Sequence, residues 1–302
     1  MNTKSGYVSI IGKPNAGKST LMNALLGERL SIITNKPQTT RKNILGIISD
    51  EAHQIIFLDT PGILDPTYLL QEKMVEFVYQ AIKNADVLLV LFDVKSDPEG
   101  KEIFENDELL KSIAKLKAKK IAIVNKIDVS NDVKVKKLIS IIEKENLFEA
   151  VIMTSAYTGF NVTVLLEKIK DYLPEGPKYY PDDQLTNENE RFFVSEIIRE
   201  KIFELYQDEV PFSTEVLIED FKERENRKDY IAASIIVERE TQKPIIIGKK
   251  GESIKKLGKI ARAAIEEFLD REVYLELFVK VKPKWRSNSN LLKNFGYSTD
   301  NE

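Results

Sequence analysis

Near the start of the chain, Gly12-Lys13-Pro14-Asn15-Ala16-Gly17-Lys18-Ser19 sets two glycines, a lysine and a hydroxyl in the spacing G-x-x-x-x-G-K-[ST]. Glycines let backbone N–H groups turn towards an anion, and the N-terminus of a following helix adds a favourable dipole. Lys18 would neutralise β- and γ-phosphates, the Ser19 hydroxyl would reach Mg²⁺, and Thr20 joins the expected nucleotide-binding residues. This chemistry suits a nucleoside triphosphate of any base.

Asn125-Lys126-Ile127-Asp128 speaks to the base. A carboxylate after a buried strand can accept from guanine N1–H and N2–H₂, and adenine lacks that donor pair. Asp128 is the expected acceptor, Lys126 would lie along the base, and Asn125 would tie loops together. Ser155 and Ala156, in Thr154-Ser155-Ala156, follow a later strand, and the Ala156 N–H is expected on guanine O6. GTP is therefore the expected substrate and GDP the product. Asp59-Thr60-Pro61-Gly62 closes another apolar strand; Asp59 would hold a Mg²⁺-bound water and the Gly62 N–H would sense the γ-phosphate. In the polar segment from Thr34 to Lys42, Thr40 rather than Thr39 is expected to complete the metal shell while γ-phosphate is present.

These motifs need strands and helices to hold them, and the order of patterns supplies both. Apolar runs at Tyr7–Ile11, Ile44–Ser49, Gln54–Leu58, Val87–Asp93, Ile121–Val124 and Val151–Met153 alternate with helical periodicity. That alternation predicts an α/β doubly wound sheet over residues 1–173. Pro174, Gly176, Pro177 and Pro181 then mark a polar linker, 174–190. Residues 191–302 read as a smaller α+β domain, helix, hairpin, helix, strand, with Asn226–Asp229 as the hairpin turn. His53 is expected in the turn between the second and third strands.

Composition narrows the chemistry further. The 302 residues hold no cysteine and one histidine. Disulfides, thiolate metal sites and cysteine nucleophiles are excluded, as is a multi-histidine metal site. The net charge of −3 hides a strong asymmetry: residues 243–293 carry 13 Lys+Arg against 6 Asp+Glu. That basic stretch surrounds Ile247-Gly248-Lys249-Lys250-Gly251, a G-x-x-G loop before a predicted helix. Glycines there would let a sugar–phosphate backbone come close, with Lys249, Lys250 and Lys255 supplying charge. Lys282, Lys284 and Arg286 in the following tail are further expected RNA contacts, whereas Trp285 is expected to pack the tail onto its domain. No targeting segment is apparent, and the longest apolar stretch, Ala85–Val94, is too short to span a bilayer.

The four nucleotide motifs, in this order and spacing, look like those of translation-factor-related GTPases. The Gly-Lys-Pro-Asn-Ala-Gly-Lys-Ser form and Pro37-Gln38-Thr39-Thr40-Arg41 resemble the Era family of bacterial GTPases. The second part resembles a type II KH domain, and the Lys280–Arg286 ending, Lys-Val-Lys-Pro-Lys-Trp-Arg, resembles that of the same family. The resemblance implies an RNA partner at the 3′ end of 16S ribosomal RNA and a role in 30S subunit assembly. It also implies a cytoplasmic monomer, with peripheral membrane association left open. Ile63 departs from Ras-like enzymes, which place a water-orienting glutamine there. Related GTPases share this departure, and in some a matching asparagine helps hold potassium. Asn15 therefore has two readings, a potassium ligand aiding catalysis or a structural loop residue. A regulatory GTPase whose second domain docks a protein or membrane is the alternative function, and an ATP-dependent kinase is disfavoured by Asn125–Asp128.

Overall fold

The computed structural model describes residues 3–225 and 227–298. Asn226, expected in the hairpin turn, lies outside the described residues. The chain divides into two compact units, residues 1–66 with 71–187, and 67–70 with 188–302.

The first unit runs β1 (Lys4–Gly12), α1 (Lys18–Leu26), β2 (Ile44–Ser49), β3 (His53–Asp59), α2 (Leu69–Asn84, from residue 71 onward) and β4 (Val87–Asp93). It continues with α3 (Lys101–Phe104), α4 (Asp107–Lys115), β5 (Lys119–Asn125), α5 (Asp132–Lys144), β6 (Ala150–Met153) and α6 (Val162–Tyr172). Every residue of β4 is buried, as a parallel strand covered on both faces requires. Asn106 and Asn131 start α4 and α5 by accepting the N–H groups of Leu109 and Lys134. His53 is the first residue of β3, not a turn residue, and its ring meets Asp50 at 3.0 Å.

The sheet order is β2-β3-β1-β4-β5-β6, with only β2 antiparallel. Register sets which strand ends lie side by side. Ile10 of β1 pairs with Asp59 of β3, Gly12 with Leu91 of β4, and Asp93 of β4 with Asn125 of β5. The motif-bearing strand ends therefore share one edge, the carboxyl edge where open α/β sheets bind ligands.

The expected linker divides. Residues 174–187 are a strap laid on the first unit. The fully buried Gln54 side chain accepts from the N–H groups of Tyr179 and Tyr180 and donates to the Tyr180 carbonyl and Ser49 Oγ. Further along, Ile47 N–H donates to the Leu185 carbonyl and Thr186 Oγ1 to the Leu45 carbonyl. The strap thus covers the open edge of β2, which would otherwise expose unpaired backbone groups.

The second unit holds α7 (Glu190–Leu205), β7 (Glu215–Lys222), β8 (Asp229–Val237), α8 (Lys243–Ile247), α9 (Glu252–Leu269), β9 (Val273–Val281) and α10 (Ser289–Asn294). The sequence pattern does not predict the short α8. β8 pairs antiparallel with β7 and parallel with β9. Ile198 and Ile202 of α7 pack with Ile231 and Ile235 of β8 and with Leu257 and Ile265 of α9. Trp285 is fully buried, as expected, and its indole N–H donates to the Ser213 carbonyl at 2.9 Å.

Replacing Gln54 by Ala should destabilise the first unit by about 2–3 kcal/mol, because the strap's amides lose a buried partner. Urea unfolding checks this, and an unchanged midpoint would mean that the strap is held elsewhere.

Candidate functional site

The carboxyl edge of the sheet encloses a cleft of about 560 Å³. Asn15, Gly17, Lys18, Ser19, Thr20, Thr40, Gly62, Asn125, Lys126, Asp128 and Ala156 all line it. Motifs separated by more than a hundred residues meet here because their strands end together.

At the phosphate loop, Gly17 has a left-handed backbone (φ 100°), and a Cβ there would stand 2.4 Å from Asn125 Nδ2. Only glycine meets both conditions. The Gly12 carbonyl accepts from Lys18 Nζ at 3.1 Å and from the Ile63 N–H at 3.1 Å, so one strand end steadies the lysine and the chain after Gly62. Ala16 is buried in the turn. Lys18 Nζ also donates to the Lys13 carbonyl at 3.0 Å. Burial pushes the Lys18 ammonium down to about 8, helped by the charge of Lys126 and opposed by Asp59.

Ser19 Oγ lies 2.6 Å from Asp59 Oδ2 and 3.0 Å from Thr40 Oγ1, and Thr40 Oγ1 is 3.4 Å from the same Asp59 oxygen. Burial pushes the Asp59 carboxyl up, against the hydrogen bond from Ser19 and the charge of Lys18. Its other oxygen, Oδ1, is buried without a hydrogen-bond partner. Two hydroxyls and a carboxylate with a spare oxygen are hard donors that fit Mg²⁺. Thr39 is placed differently: its hydroxyl bonds Thr34 Oγ1 and the Lys36 carbonyl within the loop. Asn15 Nδ2 donates to the Asn35 carbonyl at 3.0 Å and joins the phosphate loop to that segment.

Asn125 ties three segments. Its amide donates to the Ala16 carbonyl at 2.8 Å, and its Oδ1 accepts from Thr154 Oγ1 at 3.2 Å and from the Ala156 N–H at 3.0 Å. The Ala156 N–H expected on guanine O6 is therefore engaged by Asn125. Ser155 faces its own turn, where its N–H donates to the Phe160 carbonyl and its Oγ accepts from Thr158. Asp128 is exposed at the cleft, with Val129 and Tyr157 as apolar walls.

Sequence reasoning missed Asp93, which pairs with Lys126 Nζ at 2.7 Å while the Asn15 carbonyl accepts from the same ammonium at 2.5 Å. Its signal was available: like Asp59, it is an acid ending a buried strand. Ile63, by contrast, is buried in the core beside Val78 and Ile82 and presents no polar group.

In the second unit Gly248 (φ 72°) and Gly251 (φ 78°) both have left-handed backbones. A Cβ on Gly248 would stand 2.5 Å from that of Ser253, whereas one on Gly251 would meet nothing within 4 Å. Ile247 ends α8, and Lys249, Lys250 and Lys255 are exposed around the open side. Tyr206, another residue that sequence reasoning missed, fixes the loop from beneath. Its hydroxyl donates to the Ile246 carbonyl at 2.8 Å and accepts from Ser253 Oγ at 3.0 Å. Lys282 and Lys284 are exposed, but Arg286 is taken up by an ion pair with Glu238.

Comparison with known proteins finds relatives of both parts of the chain. A family model described as 50S ribosome-binding GTPase matches residues 7–126, and a KH domain model matches residues 209–286. GTPase Era of Geobacter sp. is 47% identical over 97% of this chain and 98% of its own length. GTPase Era of Geotalea daltonii is 45% identical over 97% of each chain. An Aquifex aeolicus Era variant bound to GDP·AlF₄⁻ superposes with a TM-score of 0.91 at 42% identity, covering 98% of this chain and 100% of that one. A structure of Era with MgGDPNP and nucleotides 1506–1542 of 16S ribosomal RNA gives the same score, identity and coverage.

Gly62→Ala should separate GDP from GTP chemistry, because its Cβ would stand 2.6 Å from the Pro14 nitrogen. GDP affinity is expected to change less than about threefold while kcat falls about 100-fold or more. Nucleotide titration and turnover assays check this, and unchanged turnover would remove Gly62 from the γ-phosphate site.

Proposed function

Because the chain belongs to the Era family of GTPases, we propose that it is a GTP-hydrolysing switch acting on the 3′ end of 16S ribosomal RNA in 30S subunit assembly. One observation carries the switch: Ser19, Thr40 and Asp59, from three separate segments, meet beside Lys18. An RNA-binding reading of the second unit rests on the open space over Gly251 and the lysines around it.

Water attacks the γ-phosphorus as the bond to the β–γ bridging oxygen breaks; that oxygen leaves with GDP, and the water oxygen stays on inorganic phosphate while its surplus proton goes to solvent. Lys18 and backbone N–H groups, including that of Gly62, stabilise the negative charge as it develops. Ser19, Thr40 and Asp59 would hold Mg²⁺, which supplies neutralising charge to the phosphates. Thr40 belongs to this set only when its loop is closed, so the order of the segment from Thr34 to Lys42 reports the γ-phosphate. In our reading that order alters how the second unit is presented to RNA.

With Ile63 in the core, no side chain at that position orients water, and intrinsic hydrolysis is slow. Asn15 Oδ1 accepts no hydrogen bond among the described residues, which supports Asn15 as a potassium ligand supplying charge to the transition state. We place this activity in the cytoplasm, on a monomer. No helix among the described residues is long and apolar enough to cross a membrane.

Two measurements test the proposal. Gly248→Asp with Gly251→Asp should abolish binding to a single-stranded RNA of about 8 nucleotides, long enough for the glycine loop alone, and leave GTP turnover intact. Lys249→Ala with Lys250→Ala, which keeps both glycines, should weaken binding about tenfold or more. Retained binding of that short RNA in both variants would overturn the RNA-binding role of the glycine loop and favour a protein- or membrane-docking domain. Turnover should be faster in potassium than in sodium buffer; equal rates would remove potassium from the mechanism.

A further inference from the structure

We propose that the GTPase unit carries a second RNA contact, a basic cavity at the end of the sheet opposite the nucleotide. The cavity, about 840 Å³, is bounded by the ends of α2, α4 and α6 and by the start of β5. Lys83, Lys115, Lys117 and Lys119 line it, and all four are exposed. Among the described residues none of the four has a carboxylate within ion-pair distance. Some exposed lysines elsewhere on the same unit do: Lys137 and Lys101 meet Glu99 at 2.5 Å and 2.9 Å. The carboxylate in the lining, Asp86, accepts from the Tyr7 N–H at 2.8 Å. Lys83 and Lys115 stand in the last turns of their helices, where the dipole favours cations. That explanation does not extend to Lys117 and Lys119, which follow α4.

A second feature distinguishes the cavity from a merely solvated face. The Tyr172 ring lines it, with Lys168 Nζ 4.6 Å and Lys119 Nζ 5.8 Å from the ring centroid. Lysines that track a phosphate backbone, beside an aromatic face for a base, are the two elements of single-strand recognition. A membrane surface fits less well. The site is concave, and none of the exposed large apolar side chains lines it, so nothing there would enter a bilayer. β4 and β5 begin at this end, whereas the nucleotide motifs follow their far ends, roughly 20 Å away by strand rise. RNA here would not displace GTP. Because the cavity and the glycine loop lie on different units, this contact is separable from the one proposed above.

The test uses the full chain with Lys115→Ala, Lys117→Ala and Lys119→Ala combined. Binding is measured by anisotropy against salt, with a single-stranded RNA of about 40 nucleotides and one of about 8, the latter long enough for the glycine loop alone. The long RNA should bind about tenfold or more weakly. Its log–log salt slope should flatten by about 2, the value for three lost phosphate contacts on a single strand. Affinity for the short RNA and for GTP should not change. Equal affinity and slope for the long RNA would overturn the proposal. So would a wild-type protein that binds phosphatidylglycerol vesicles through these lysines while the variant's RNA binding is intact. Failure of the wild type to bind the short RNA would count against the glycine loop alone, and the long RNA would still decide the cavity.

Discussion

The nucleotide site depends on one constraint, the register of the parallel strands. Gly12, Asp59, Asp93 and Asn125 share an edge only because β1, β3, β4 and β5 pair as they do. A slip of one residue would turn every side chain of a strand to the other face. The fully buried β4 makes such a slip costly, since both of its faces are packed. Asn125 then locks the result, because its single amide binds the phosphate loop and the Thr154–Ala156 turn together.

Electrostatics at that edge is governed by burial. Lys18 and Asp59 attract one another, yet burial is the leading influence on both, pushing the ammonium down and the carboxyl up. Carbonyls of Gly12 and Lys13 hold the lysine, and hydroxyls of Ser19 and Thr40 hold the carboxylate. Charges fixed this way in a low-dielectric site act strongly on phosphate and Mg²⁺ and need little reorganisation.

The second unit presents bare backbone at its glycine loop. Gly248 is required by both its φ and the closeness of Ser253; Gly251 is required by φ alone and leaves open space above it. Tyr206 holds the loop from the opposite side through Ile246 and Ser253. The loop is thus rigid underneath and bare on top, as close approach of a sugar–phosphate chain demands. Arg286 shows that a basic residue nearby is not thereby a contact, since Glu238 claims its guanidinium.

By itself the sequence determined the phosphate loop, the guanine motif, Asp59, the G-x-x-G loop and the two-part organisation. These are short stretches whose chemistry is set by neighbours along the chain and by the strand or helix beside them. Only the tertiary structure decided what depends on distant partners. It singled out Thr40 over Thr39 beside Asp59, turned the Ala156 N–H to Asn125, and paired Asp93 with Lys126. It also made a strap of residues 174–187, through an amide 126 positions away from Tyr180. Proline and glycine spacing signals that a chain leaves its helix, but not which buried Gln54 awaits it, because that contact is made by packing and not by local propensity.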